Sequence, residues 1–251
     1  MFPSRIFQLL PFLVCAVCAP LVGAQSGAKG TVLIQEDFSS STVDRTKFSN
    51  TDWNVPETWE LREGVLACIY DAKAHPGKAH GKSVDAKFQA HDVRVCYRVK
   101  FEGEAARFSM LINAGFPPLK TGLPVWHIGD VNARLPRTET DSCVSISERD
   151  FTYDENDPRN VRKSFGPAEI FKPLGAYEIP GVNTKGAAPL QAGRWHEFVV
   201  ESSGTRWTLW IDGKETLSLT LKHSDIEKAS VNFIAFGPLL LDDIRIEALY
   251  R

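Results

Sequence analysis

Apolar and polar residues alternate along most of the chain, which is the pattern of half-buried β-strands. The clearest case is the segment 92–102, whose apolar residues share one face: Val93, Val95, Tyr97, Val99 and Phe101. The intervening residues share the other face: Arg94, Cys96, Arg98 and Lys100. The segment 107–113 repeats the pattern, with Phe108, Met110 and Ile112 on one side. Both segments are predicted to be strands with one buried face.

Tight turns connect several further strands. Glu63-Gly64 separates Trp59–Arg62 from an apolar run that starts at Val65, and Asp212-Gly213 separates two strands in the same way. Further strands are predicted at 31–35, 126–129, 143–148, 195–201, 206–211, 214–221, 231–236 and 241–247. The best helical segment is short, at 224–229. Ten to twelve short strands predict an all-β, antiparallel sandwich or barrel.

Regular alternation stops between about 150 and 193. Prolines at 158, 167, 173, 180 and 189, together with repeated glycines, predict a long and mostly irregular loop excursion there. A loop of this length inside a compact domain is usually functional or mobile. We expect it to lie over one end or face of the sandwich and to shape any cleft. The region 25–251 is otherwise predicted to be one domain.

The first 24 residues have the pattern of a secretory signal peptide. Arg5 is followed by an apolar run from Ile6 to Val22, and Val22-Gly23-Ala24 supplies small residues for cleavage after Ala24. An uncleaved membrane anchor is the alternative, although the run is somewhat short and Pro11 and Pro20 interrupt it. The protein is therefore expected to be secreted or held in the periplasm or cell envelope, with no membrane span after cleavage.

Charge and cysteine content narrow the class further. The formal net charge is −2, and no basic stripe points to nucleic acid as a partner. Cys68, Cys96 and Cys143 remain after the signal, an odd number that permits at most one internal disulfide. Three buried free thiols are the favoured interpretation, with a Cys68–Cys96 bond as the alternative. The state of these cysteines and the oligomeric state stay open.

Three segments of the C-terminal third carry a family resemblance. They are Ala192-Gly-Arg-Trp-His-Glu-Phe-Val-Val, Trp207-Thr-Leu-Trp-Ile-Asp-Gly-Lys and Leu241-Asp-Asp-Ile-Arg-Ile. Together they resemble concanavalin A-like domains of the laminin-G and glucanase superfamily, and in particular the bacterial 3-keto-disaccharide hydrolase-like family. The resemblance covers about residues 31–249 and implies an antiparallel concanavalin A-like jelly-roll β-sandwich. The central Glu-x-Gln-Ile strand of that family has no counterpart here, so the resemblance leaves catalytic activity open.

A laminarinase-type hydrolase would carry its carboxylates on one strand as Glu-x-Asp-x-(x)-Glu, so that two of them flank the scissile bond. The nearest segment is Glu139-Thr-Asp141-Ser-Cys143, in which a cysteine stands at the position of the second glutamate. This segment is better interpreted as a solvated entrance to a strand. If the protein is an enzyme, it is expected to be a glycosidase-type hydrolase.

Two clusters carry candidate saccharide chemistry. The loop 75–82 contains His75 and His80 with two lysines and two glycines, although a plain polar surface loop is the simpler interpretation. The second cluster combines an indole face with hydrogen-bonding and charged groups: Trp126, His127, Asp130, Arg134, Glu148 and Arg149. His80 and Glu148 are the candidate catalytic residues. The candidate substrate-binding residues are Trp126, His127, Asp130, Arg134 and Arg149.

Function is thereby narrowed to two classes. The first is an exported domain that binds or processes saccharides, including glycoside hydrolase-like action on (keto-)saccharides. The alternative is a non-catalytic laminin-G-like module that binds another exported protein, which an exposed apolar patch on the site face would favour. No cofactor or catalytic metal is expected, and Asp37 and Asp242-Asp243 permit a structural calcium.

Overall fold

The computed structural model describes residues 29–40, 42, 44, 46, 48–50, 59–69, 84–114, 126–150, 177–221 and 224–250. These residues form fifteen strands and no helix, in two antiparallel sheets. We call the eight-stranded sheet the back sheet and the seven-stranded sheet the front sheet. The prediction of an all-β sandwich is confirmed. The predicted signal peptide at 1–24 lies outside the described residues.

The back sheet has the strand order β13-β12-β11-β6-β15-β4-β3, and β1 also pairs with β15. Its strands are β1 (Gly30–Glu36), β3 (Trp59–Arg62), β4 (Val65–Cys68), β6 (Val93–Phe101), β11 (Trp195–Ser203), β12 (Arg206–Ile211), β13 (Lys214–Thr220) and β15 (Leu239–Leu249). Both predicted tight turns are present. Residues 63, 64, 212 and 213 all have positive φ, as the two-residue hairpin turn requires.

The front sheet has the strand order β10-β9-β8-β7-β14-β5-β2. Its strands are β2 (Phe48–Asn50), β5 (Val84–Ala90), β7 (Arg107–Ala114), β8 (Trp126–Arg134), β9 (Val144–Asp150), β10 (Tyr177–Gly186) and β14 (Lys228–Phe236). The ten-residue strand β10 lies inside the excursion expected at 150–193, whose residues 151–176 are outside the described part of the chain. Pro180 is accommodated because β10 is an edge strand.

The core lies between the inner faces of the two sheets. Tyr97 of β6 stacks on Phe198 of β11, with ring centroids 5.3 Å apart, and meets Phe108 and Phe233 of the front sheet at 5.4 Å each. These four rings are at most 1% exposed and join the sheets through aromatic contacts. All five apolar residues predicted to share a face of β6 are fully buried, so the alternation was interpreted correctly.

The prediction of a short helix at 224–229 is wrong. Ser224 donates from Oγ to the carbonyl of Gly204, 3.0 Å away, and does not cap a helix. Lys228 is fully buried at the start of β14, and its ammonium donates to the carbonyls of His91, Ser224 and Ile226. Those backbone acceptors are the reason for an extended path, because a helix would use the carbonyls of this segment internally. The cysteines at 68, 96 and 143 are buried thiols, as favoured.

Candidate functional site

The outer face of the front sheet is polar where the inner face is apolar. Along β8, Val131 and Ala133 join the core, while Asp130, Asn132 and Arg134 alternate with them. The same alternation on the neighbouring strands leaves hydroxyl, amide and carboxylate groups on this side, together with the apolar Leu111 and Ile234. We call the following set the polar face: Asp85, Ser109, Asn113, Asp130, Asn132, Ser147, Ser230 and Asn232.

Hydrogen bonds connect the polar face across three strands on one side. Asn113 of β7 donates from Nδ2 to Ser230 Oγ of β14, 3.0 Å away, and to Asn232 Oδ1. Asn232 in turn donates to Asp85 Oδ1 of β5. Asn113 is fully buried and Asp85 is 5% exposed. Buried amides with defined partners hold fixed orientations, which is what a preorganised binding surface needs.

Asp130 is at the centre of the other half of the face. It is 1% exposed, and Ser147 of β9 donates its hydroxyl to Asp130 Oδ1. Two residues further along β8, Asn132 Oδ1 accepts a hydrogen bond from the hydroxyl of Ser109 on β7. A buried carboxylate beside fixed hydroxyl and amide groups is suited to accept hydrogen bonds from hydroxyls of a ligand.

The opposite surface of β8 is held by the core. A Cβ atom at Gly129 would lie 2.9 Å from Trp207 Cη2 and 3.0 Å from a methyl of Leu221. Trp207 is fully buried and belongs to the core. Only glycine therefore lets β8 approach the indole this closely. This packing fixes the position of the β8 backbone, and with it that of the neighbouring Asp130.

Arg134 ends the face at the turn between β8 and β9. Its two Nη atoms lie 2.5 and 2.8 Å from the carboxylate oxygens of Asp141, a bidentate pair. The hydrogen bonds from Arg134, and then that from the backbone N–H of Arg137, hold the pKa of Asp141 well below its usual range. The pair fastens the turn, so the segment 139–143 has a structural use.

A cavity of about 560 Å³ opens beside this turn. It lies between the β6–β7 loop, the β8–β9 turn and the β10–β11 loop. Its lining includes Glu104, Arg107, Arg134, Pro136, Arg137 and Leu190. The β10–β11 loop is anchored by buried His196, whose Nε2 accepts the backbone N–H of Gln191 at 2.9 Å and whose Nδ1 lies 2.8 Å from Asp212.

Six of the seven predicted site residues lie on two neighbouring strands. Trp126, His127, Asp130 and Arg134 belong to β8, while Glu148 and Arg149 belong to β9. In the backbone register, Glu148 pairs with Gly129 and His127 pairs with Asn113. His80 lies outside the described residues. For Asp130 and Arg134 the side chains are also defined: one is buried at the centre of the polar face and the other lines the cavity.

Sequence analysis did not identify the hydrogen-bonded group of Asn113, Asn232 and Asp85 on the polar face. Asn113, Asn232 and Asp85 belong to three strands whose order in the sheet, β7-β14-β5, follows no order in the chain. The available signal was a polar residue in the middle of each apolar alternation, as in Ser230-Val-Asn232-Phe. That signal marks an outward position and does not identify its neighbours.

Two carboxylates belong to the described polar face, Asp85 and Asp130. They are three strand spacings apart, which is about 14 Å at ~4.8 Å per strand. A retaining glycosidase needs its carboxyl groups about 5 Å apart, and an inverting one needs them about 6.5–9.5 Å apart. Asp85 and Asp130 are therefore not a catalytic pair, and any partner for Asp130 comes from a nearer strand.

The aspartates considered for calcium have other contacts. Arg98 lies 2.6 Å from Asp242 and 2.6 Å from Asp243, and Asp37 accepts hydrogen bonds from Ser39. Within the described ranges, one cluster has the side chains for a metal: His91, Asp92 and Asp225. Asp92 already accepts the backbone N–H of Gly204 at 2.9 Å, so this cluster serves to tie two turns together.

Solved structures share this fold across most of the chain. An endo-β-1,3-glucanase from Pyrococcus furiosus aligns with a TM-score of 0.56 and 14% identity, covering 92% of this chain and 99% of that one. A non-specific endo-β-1,3(4)-glucanase from family GH16 gives 0.55 and 11%, with coverages of 88% and 92%. The chain has the concanavalin A-like jelly-roll fold.

A third jelly roll differs in length. It is a GlcNAcα1-4Gal-releasing endo-β-galactosidase from Clostridium perfringens, with a TM-score of 0.57, 12% identity and 91% of this chain covered. The present chain spans 65% of that protein. No family model and no curated protein matches the sequence.

Within the described ranges, no helical segment has the length and hydropathy of a membrane span.

Proposed function

We propose that this protein is an exported domain that binds or processes saccharides, and that the polar face is its saccharide site. The buried Asp130, fixed among hydroxyl and amide groups in the middle of the front sheet, carries the proposal. Saccharides are recognised through many hydroxyls, and hydroxyl, amide and carboxylate side chains like those of this face are the groups that bond them. The named activities of the similar jelly rolls, glucanase and endo-β-galactosidase, support the same class of ligand.

Any turnover would be of the glycosidase type, with Glu148 or His80 as the proton-transfer group. The backbone register gives Glu148 no added support as a partner of Asp130, because it pairs with Gly129, whose position faces the core. Action on 3-keto-saccharides, as the sequence resemblance implies, is the finer form of this proposal.

Binding is tested most directly at Asp130. We expect Asp130→Asn to weaken saccharide binding roughly tenfold, because a charged hydrogen-bond acceptor becomes neutral. The melting temperature should stay nearly unchanged, since the amide oxygen can still accept the Ser147 hydroxyl. The measurement is a glycan array followed by calorimetric titration, with a screen for released reducing ends or 3-keto-sugars.

Glu215→Gln is the matched control for Asp130→Asn. It removes one carboxylate from the exposed surface of β13 in the back sheet, and saccharide affinity should not change. Equal affinities of wild type and Asp130→Asn for every glycan that binds would refute the polar face as the site.

Trp126 is proposed as a stacking platform for a sugar ring. Replacing it with alanine should weaken binding and leave the fold intact, since ring stacking contributes on the order of 1 kcal/mol beyond area burial. Thermal unfolding and titration of Trp126→Ala decide the point. A large fall in melting temperature with unchanged affinity would make Trp126 a core residue.

Export is proposed from the N-terminal pattern. N-terminal sequencing of the mature protein from an expressing cell should begin near Gln25. Intact Met1 on cytoplasmic protein would contradict it.

The alternative of a protein-binding module gains no support on the polar face, because the large exposed apolar residues of the described part are elsewhere: Val32, Leu33, Ile69 and Tyr250.

A further inference from the structure

We infer that the 560 Å³ cavity at the end of the front sheet binds an anionic group, a carboxylate or a sulfate, carried by the saccharide. This inference rests on the proposed saccharide site and names the class of its ligand. The cavity lies at the end of β7 and β8, the strands that carry Ser109 and Asn132 of the polar face.

The first observation is a pair of like charges. Arg107 and Arg134 are directly opposite each other in the β7–β8 register, and both line the cavity. Like charges at directly opposed positions destabilise a sheet unless a counter-charge lies between them. A third guanidinium, that of Arg137, lines the same cavity from the turn that follows. Asp141 already pairs with Arg134, so an anion in the cavity would compensate Arg107 and Arg137.

The second observation is how the available carboxylates are used. Asp141 engages both Nη atoms of Arg134 and accepts the backbone N–H of Arg137. Arg107 and Arg137 are exposed, and their guanidinium groups have no ion-pair partner among the described residues. Glu104 is the remaining carboxylate of the lining. Two guanidinium forks are therefore left for a ligand, and a fork matches the geometry of carboxylate and sulfate oxygens.

The third observation is continuity with the polar face. Asp130 and Arg134 are four residues apart on one strand, so about 13 Å separates their positions. A saccharide that contacts Asp130 and extends along β8 would bring a following ring to the cavity. Leu135, Pro136 and Leu190 provide an apolar wall there, suited to the C–H face of a ring.

The test compares three tetrasaccharides with one backbone: laminaritetraose, its C6-carboxylate derivative and its C6-sulfate derivative. Calorimetric titration should show an anionic derivative binding roughly tenfold more tightly than laminaritetraose, with the difference shrinking in 0.5 M salt, as expected of charged hydrogen bonds. Arg107→Gln and Arg137→Gln should each remove most of that difference. Comparing the two derivatives identifies carboxylate or sulfate as the preferred group.

Arg206→Gln is the matched control, because it removes an exposed guanidinium from β12 of the back sheet with the same change in net charge. Equal binding of neutral and anionic tetrasaccharides would overturn this inference and leave the proposed saccharide site standing. An equal loss of the anionic preference in Arg206→Gln would overturn it as well. If none of the three tetrasaccharides binds, the inference fails, and the glycan array decides the saccharide site separately.

Discussion

The outer faces of the two sheets satisfy their polar groups in different ways. On the back sheet, charges pair with charges: Arg94 contacts Glu201 and Glu247, and Arg98 contacts Asp242 and Asp243. On the front sheet, the neutral side chain of Asn113 donates to Ser230 and Asn232, and Asn232 donates to the carboxylate of Asp85. A face closed by its own ion pairs has little left for a ligand, whereas the front sheet holds neutral hydroxyl and amide groups that are suited to bond hydroxyls.

Aromatic residues follow the same division. Trp195 on the back sheet lies under two cations, with Arg98 Cζ at 5.2 Å and Lys100 Nζ at 5.8 Å from its ring centroid. Such cation–π contacts occupy the ring face that a sugar would need. These contacts support our proposal that the front sheet, and not the back sheet, recognises the ligand.

The largest expected effect comes from breaking the charge pairing of the back sheet. Arg94→Met should lower the free energy of unfolding by about 2–3 kcal/mol, because it leaves two carboxylates that are 17% and 8% exposed without their shared cation. Denaturant unfolding measures the loss. Arg245→Met is the control: Arg245 is 45% exposed and, among the described residues, has an ion pair with Glu247 only, so its loss should be about 0.5 kcal/mol. Equal losses would show that burial of the pair does not matter.

Hairpins and strand faces were predictable because their causes are local. Glu63-Gly64 and Asp212-Gly213 carry the positive φ that a two-residue turn needs, and the turn residues show this in the sequence. Strand β5 was not predicted, although Val84, Ala86 and Phe88 alternate with polar residues. Its apolar positions include two alanines, whose small side chains give a weak hydrophobic signal.

The candidate site was predictable in part, and the limit is topological. Asp130 and Arg134 were identified because one strand presents them with the right chemistry. The partners of Asn113 come from β14, more than a hundred residues later in the chain. Pairing at that separation is decided by how the sheets assemble, and no local pattern encodes it.

A second prediction breaks the neutral network of the front sheet. Asn113→Leu should lower the free energy of unfolding by about 2 kcal/mol. The variant removes two donated hydrogen bonds and takes this donor away from buried acceptors on Ser230 and Asn232. The double variant Asn113→Leu with Asn232→Leu should cost less than the sum of the two single variants. Ser145→Ala, half-buried on β9, is the control and should change stability little. Additive losses in the double variant would mean that the amides act independently.

The smallest expected effect concerns Glu197 on the back sheet, where charge pairing is incomplete. Burial, and then the nearby Asp212, raise the pKa of Glu197. Its Oε1 is buried with no hydrogen-bond partner among the described residues. A raised folded-state pKa means that stability from the protonated form is present below the unfolded value and is lost as the pH rises through the folded value. At pH 7 the charge on Glu197 therefore opposes folding.

Glu197→Gln should accordingly raise the melting temperature slightly at pH 7, and the gain should disappear near pH 4, where wild-type Glu197 is itself protonated. Glu201→Gln, on the same strand, should do the opposite at pH 7, because Glu201 accepts two hydrogen bonds from Arg94. Thermal unfolding from pH 4 to pH 8 compares the two variants. If both lower the melting temperature at pH 7, Glu197 is stabilised by its surroundings, and the charged groups of the back sheet are more completely paired than we propose.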